Sequence, residues 1–392
     1  MGYSVIRGGS EAMLAAEAML DFVRLGGLDA TKNPDAELST SVEAVLRTQR
    51  LAVARVMSEG GLYAPRLAAI ALVQAEGDAI EASFILRAYR ASLPRWGSAQ
   101  PADSAAMRII RRVSSAFKDV PGGQFLGPTR DYTLRFLREE LAGEVGAERL
   151  ATVIAELGDD DAPLPEMPRV ISLLREAGLV RARKVGPEVQ PVDITMTPLR
   201  FPNPPRSARL QALARGEAGM MNGLAYSSLR GYGHVHPTLG EFRVGHVDVT
   251  VHHPIWGGDV SIGEVLLTEC DAVVTGIGMV SAVEGEKRIL LELGYGASFG
   301  QQEGKAISMA ILDACISQPE GDGPADDIEF VLYHIDGVES SGFVDHLKQP
   351  HYTLFASVMD RLDAANARRV GSAESETTHE SEQSSLTQEV AS

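Results

Sequence analysis

Cysteine is nearly absent from these 392 residues: there are two, Cys270 and Cys315. Two thiols in apolar surroundings build no disulfide framework and are too few for an iron–sulfur cluster, so none is expected in this chain. A reducing cytoplasm is the expected compartment. Aromatics are equally thin, at 6% with two Trp, which leaves little for stacking single strands. Cations are outnumbered, 36 Lys and Arg against 53 Asp and Glu, for a net charge of −17. Duplex binding rests on basic contacts to phosphates, so a free-standing nucleic-acid partner is excluded, whereas a small phosphate-bearing ligand needs only a few local cations. No run of about 18 apolar residues is free of charge, and Arg7 and Glu11 interrupt the amino terminus, so neither a membrane span nor a signal peptide is expected.

What is present suffices for a sizeable core, since 44% of the residues are hydrophobic. The pattern predicts an α+β protein. A helical domain spans 1–157, with capping boxes at Thr40-x-x-Glu43 and Asp78-x-x-Glu81 and further helices over 103–113 and 132–157. An acidic and then proline-rich linker with a short helix covers 158–206. A mixed α+β domain covers 207–368, its helices expected from Ser207, at 303–316 and at 353–368. Its strands are expected from Glu241 with a bulge at Gly245-His246, then at 260–267, 272–280, 287–293 and 328–334. The tail 369–392 holds five Glu and no Lys or Arg beyond Val370, and its composition predicts disorder.

Four segments are rich in chemistry. Gly294-Tyr-Gly296-Ala-Ser-Phe-Gly300, ahead of Lys305, fits neither a dinucleotide fingerprint nor a Walker A loop; it reads as a glycine turn or as an anion loop. The stretch from Lys118 to Asp131, with Gly122, Gly123 and Arg130, is either a phosphate-holding loop or a capped turn. Arg230-Gly-Tyr232-Gly-His234-Val-His236 supplies donors of different acidity, with Glu241 close behind, and reads equally as a surface loop around a packed Tyr. His346 and His351 are five apart, about 140° around a helix, so they converge only if Pro350 breaks it. Two imidazoles do not fill a zinc shell; Asp345, His334 or a partner chain would complete it.

Long blocks in one order identify a family resemblance: KDVPGGQFLGPTRDYT at 118–133, LAYSSLRGYGHVHPTLGE at 224–241, GYGASFGQQEGKAISMAILD at 294–313 and EFVLYHIDGVESSGFVDHLKQPHY at 329–352. Over roughly 3–366 the chain resembles PhnI, a core subunit of the carbon–phosphorus lyase complex. The resemblance implies a subunit that acts on ATP at ribose C1′, a nucleosidase when alone. With its partners, methylphosphonate displaces adenine to give α-D-ribose 1-methylphosphonate 5-triphosphate. The implied partners are the radical SAM lyase PhnJ, the small subunits PhnG and PhnH, ABC-type ATPase subunits and a second copy of the chain. It also implies zinc on His346 and His351, shared with the radical SAM subunit. An oxocarbenium-like centre at C1′ calls for a carboxylate and a proton donor. Asp131, Glu241 and Glu264 are the candidate carboxylates and His236 the candidate acid. Lys118, Arg130, Arg206, Arg230 and Lys305, with Gly122, Gly123 and Tyr232, are the candidates for phosphate and substrate. The alternative is a scaffold subunit that dimerises and organises its partners.

Overall fold

The computed structural model describes residues 9–24, 34–139, 146–157, 165–180, 191–232, 237–283, 286–317, 323–349 and 351–389. The chain is α+β and divides into two compact units, Met1–Val338 and Glu339–Ser392. The linker residues 158–164 and 184–190 lie outside the described residues.

The first unit opens with helices α1 (Ser10–Arg24), α2 (Pro34–Thr48), α3 (Arg50–Gly60), α4 (Pro65–Gln74) and α5 (Ala79–Ser92). Val53, Val56, Met57, Ala68, Leu72, Ala82 and Leu86 bury one face each of α3, α4 and α5 in a common core. The alanine-rich face of α4 is therefore core. Asp78 caps α5, accepting from Ile80 N at 2.8 Å and Glu81 N at 3.2 Å, as the sequence predicted. Thr40 lies inside α2 and opens no helix.

Four antiparallel strands form one sheet in the order β1 (Arg108–Val113), β2 (Pro237–His252), β3 (Asp259–Val283) and β4 (Glu286–Phe299). Residues 103–113 were expected to be helical; instead 108–113 form the sheet edge. Arginines bury on both faces of β1, so no helical stripe was real, and Ile109, Ile110 and Val113 favour the pleated backbone. The bulge expected at Gly245-His246 sits opposite, in β1 at Ile110, where the register shifts between Ile109 and Arg111. Gly245 permits that approach, because a Cβ there would stand 2.4 Å from the Arg108 carbonyl. The two strands expected at 260–267 and 272–280 are one continuous β3. The polar residues between them are buried rather than turned to solvent.

Between β1 and β2 run α6 (Gly146–Leu157), α7 (Val170–Glu176), α8 (Arg206–Arg215) and α9 (Ala218–Ser227). Residues 132–139 are irregular, so the helix expected from Tyr132 begins at Gly146. After β4 come α10 (Glu303–Cys315), α11 (Ile328–His334), α12 (Gly337–Asp345) and α13 (Tyr352–Glu389). Segment 328–334, expected as a strand, is helical because Asp327 caps it, accepting from Phe330 N at 2.9 Å. One face of the sheet packs Phe242, Val244, Cys270 and Ala272 on Ala306 and Ala310 of α10; the other packs Val273, Leu291 and Leu293 on α7. In the second unit α13 is exposed at every residue from 352 to 370 and continues as far as Glu389. Over 352–370 the helix therefore has no buried face, and local propensity alone holds it there.

Candidate functional site

The chemistry concentrates at the two faces of the sheet near β1. On the α7 face, β2 contributes Glu241 and Arg243, β3 contributes Glu269 and Asp271, and β4 contributes Tyr295. Arg112 of β1 and Arg169, the residue ahead of α7, complete the layer. Arg112 donates Nε to Glu241 Oε2 at 2.8 Å, Arg243 pairs with Glu269, and Arg169 reaches Asp271 at 2.7 Å. Tyr295 donates its hydroxyl to Glu269 at 3.1 Å. Arg112, Arg243 and Glu241 are each no more than 1% exposed. Three cations against three carboxylates make this layer neutral, the condition under which buried charge is tolerated. Burial pushes the Asp271 carboxyl upward against the pull of Arg169, with Glu269 and Glu241 adding to the rise.

On the opposite face, two segments singled out by sequence meet. Arg111 crosses the Phe242 ring at 5.1 Å and holds Asp131 of the 118–131 loop together with Glu303 of α10, the latter at 2.8 Å. Gln301 joins the same junction, bonding Glu303 at 2.8 Å and the Pro128 carbonyl at 3.3 Å, while Arg50 donates to Gln301. Asp131 is half-exposed, so it is a carboxylate anchored by a buried guanidinium yet open to a ligand. Glycine shapes the loop: Gly122 has φ +80°, and a Cβ there would lie 2.4 Å from the Glu166 carbonyl.

The other sequence candidates are dispersed. Glu264 is half-exposed and pairs with Arg108 at 2.6 Å, with His246 at 3.7 Å. Lys118, Gly123, Arg130 and Arg230 are exposed. Arg206 is engaged by the buried Asp313. Tyr232 ends a short π-helix, Ser228–Tyr232, and His236 lies outside the described residues with His234. Gly294 and Gly296 form no loop: they belong to β4, where α10 comes so close that a Cβ would meet the Ala310 and Ala306 carbonyls at 1.9 and 2.1 Å. Lys305 is 3% exposed, donating to Ser58 Oγ at 3.0 Å beside the Arg55–Glu59 and Arg55–Glu217 pairs. Burial lowers its pKa to about 8 despite Glu59, with Arg55 adding to the drop. Sequence reading missed Arg111, Arg112, Arg169, Arg243, Glu269 and Asp271. Their one signal was charge recurring within β-branched runs.

In the second unit, His346 ends up in a 3-10 turn and His351 ahead of α13, so the helix is broken as Pro350 required. Their Nε2 atoms face each other at 3.2 Å. Two nitrogens bound to one tetrahedral zinc stand about 3.3 Å apart, so the pair has ligand spacing. His351 Nδ1 lies 2.6 Å from the Gln349 carbonyl, which fixes the proton on Nδ1 and turns the Nε2 lone pair toward His346. Asp345 is taken up by Lys348 at 2.6 Å. Among the described residues no group of three or more His, Cys, Asp or Glu converges to hold a metal. The spacing of the two imidazoles suits two ligands of one zinc ion and does not by itself fill its shell.

The family model described as bacterial phosphonate metabolism protein (PhnI) matches residues 2–369. The chain belongs to the PhnI family. It is 46% identical over 368 residues to a putative C–P lyase subunit protein, HtxH, of Stutzerimonas stutzeri, covering 92% of this chain and 95% of that one. Two subunits named alpha-D-ribose 1-methylphosphonate 5-triphosphate synthase subunit PhnI are each 42% identical. The one from Rhizobium meliloti (strain 1021) covers 91% of this chain and 93% of its own length; that from Escherichia coli (strain K12), 92% and 97%. This chain is thus a phosphonate-metabolism protein of the PhnI family. No described helix is long and apolar enough to cross a membrane.

Proposed function

We propose that this chain catalyses exchange at ribose C1′ of ATP. The C1′–N9 bond to adenine breaks, a C1′–O bond to methylphosphonate forms, and adenine leaves with a proton on its ring. Water in place of methylphosphonate gives adenine and ribose 5-triphosphate, the nucleosidase reaction of the chain alone. The near-full-length match to two subunits named for synthesis of the ribose methylphosphonate triphosphate carries this reading. The half-exposed Asp131, oriented by Arg111, is the carboxylate best placed to face the developing positive charge. His236 is the proposed acid, and the exposed Lys118, Arg130 and Arg230 are the proposed triphosphate cations.

Purified chain incubated with ATP, followed by chromatography of the bases, is expected to show adenine. In Asp131→Asn the rate is expected to fall at least tenfold with little change in melting temperature. Adenine release at the wild-type rate in that variant sinks the carboxylate assignment. Silence of the chain alone, with activity only when the radical SAM lyase and small subunits are added, favours the scaffold reading with a site at their interface.

Zinc on His346 and His351 completes the proposal, with its remaining ligands from the radical SAM subunit. A bound zinc ion would tie the two subunits together as a structural crosslink. The assembled complex is expected to hold zinc by elemental analysis and to lose it in His351→Ala. Full zinc content in that variant removes the site.

A further inference from the structure

Asp131 shares the guanidinium of Arg111 with a second carboxylate, Glu303, the first residue of α10. One nitrogen, Arg111 Nη2, donates to both, to Asp131 Oδ2 and to Glu303 Oε2, the latter at 3.3 Å. Two acceptors on one nitrogen stand no further apart than the sum of their hydrogen bonds, about 6 Å. Because Arg111 is buried, its charge is delivered to these two groups rather than to solvent.

A carboxylate in the first turn of a helix ordinarily answers the free N–H groups there. The hydrogen bonds of Glu303 go elsewhere: among the described residues no backbone amide donates to it. Its Oε1 accepts from Gln301 Nε2 at 2.8 Å and stands 2.8 Å from Arg111 Nε. Gln301 is itself fixed by Arg50 and by the Pro128 carbonyl, so the carboxylate is held from α3, β1 and the 118–131 loop together. Oε2 keeps only the long bond to Arg111, and the side chain remains 21% exposed. Asp131 is left in the same state, 46% exposed and with Oδ1 unpartnered among the described residues. Each carboxylate thus keeps one oxygen for a ligand beside the same buried cation.

Resting on the proposed reaction at ribose C1′, we infer that Glu303 accepts the ribose 2′-hydroxyl and selects ribonucleotides over 2′-deoxyribonucleotides. With Asp131 facing C1′, the neighbouring ring carbon carries that hydroxyl, within the short span between the two carboxylates. The hydroxyl keeps its proton and donates it in a hydrogen bond to Oε2. Hydrogen bonds to this hydroxyl strengthen as the oxocarbenium-like centre develops beside it, so the contact serves the reaction as well as recognition. A site built to bond a hydroxyl rejects the analogue that lacks it, because its own polar groups are then left unpaired.

Adenine release from ATP, 2′-deoxy-ATP and 3′-deoxy-ATP, compared as kcat/KM, tests it in the full chain, or in the assembled complex with methylphosphonate where the chain alone is silent. In water a 2′-deoxynucleoside loses its base the more readily, so a preference for ATP belongs to the protein. Wild type is expected to favour ATP over 2′-deoxy-ATP by about tenfold or more. Glu303→Ala is expected to bring the two nearly level through a lower value for ATP, while Glu303→Gln, which keeps an acceptor oxygen, retains most of the preference. Glu303→Met, which fills the space without an acceptor, decides the matter if Glu303→Ala does not fold. An equal fall for all three nucleotides marks a merely structural role and overturns the inference. A larger penalty for 3′-deoxy-ATP than for 2′-deoxy-ATP overturns the assignment to the 2′-hydroxyl. Wild type releasing adenine equally from ATP and 2′-deoxy-ATP overturns it too, and leaves the proposed reaction standing. Adenine from none of the nucleotides, in chain or complex, removes the proposed reaction and this inference with it.

Discussion

Arg112→Met is expected to destabilise the first unit by about 3–5 kcal/mol, the usual cost of stranding one partner of a buried ion pair. The guanidinium is fully buried and does four things at once. It donates to Glu241 at 2.8 Å, to the Pro121 and Gly123 carbonyls at 2.8 and 3.2 Å, and to the Pro168 carbonyl at 2.8 Å. Its removal leaves Glu241 charged at 1% exposure, where only the Val170 amide, at 3.3 Å, and the more distant Arg243 remain. The glycine loop 121–123 also loses its anchor to β1. Chemical denaturation should read the loss as a lower midpoint at similar slope. The double variant Arg112→Met with Glu241→Met should recover much of it, because both charges leave together. A double variant no more stable than the single would show that the loop anchor, not the stranded carboxylate, sets the cost.

Gly296→Val is the second large effect. A Cβ at this position would stand 2.1 Å from the Ala306 carbonyl and 3.0 Å from the Ala310 amide, all backbone of α10. A helix backbone cannot step aside as a flexible side chain does, so α10 must move off β4 or the strand must twist. Overpacking a tight core costs about 1–3 kcal/mol when side chains yield, and a backbone clash belongs at or beyond the upper end. Gly296→Ala should already lower the melting temperature by several degrees, with Gly296→Val lowering it further. By contrast Gly304→Ala, in the same helix with open space at its Cβ, should be neutral or slightly stabilising. Equal effects at 296 and 304 would contradict the close strand–helix approach.

Local signals were read correctly where local chemistry decided the outcome. The Asp78 cap, the helix expected at 303–316, the helix expected from Ser207 and the strand expected from Glu241 all follow from spacing and propensity within a dozen residues. The break that brings His346 beside His351 followed from one proline. Two of the errors share a cause. Residues 108–113 and 268–271 carry charges inside apolar runs, and a charge reads as solvent-facing unless its partner is known. Their partners lie far away in sequence: Arg112 with Glu241, Arg243 with Glu269, Asp271 with Arg169. The glycines of 294–300 read as a loop because glycine's need for no side-chain space looks the same, in sequence, as its need for a left-handed turn.

The sequence by itself determined the family, the α+β class, the helix capped by Asp78 and the histidine pair, because each is encoded in neighbouring residues or in long matching blocks. Only the tertiary structure decided which charges are buried and paired. Arg111 joining Asp131 to Glu303 exists because the sheet and its packing on α10 bring distant segments together. Long-range pairing of this kind follows from the burial of apolar faces, which fixes the approach of the elements first and leaves each charge to find its partner at the contact.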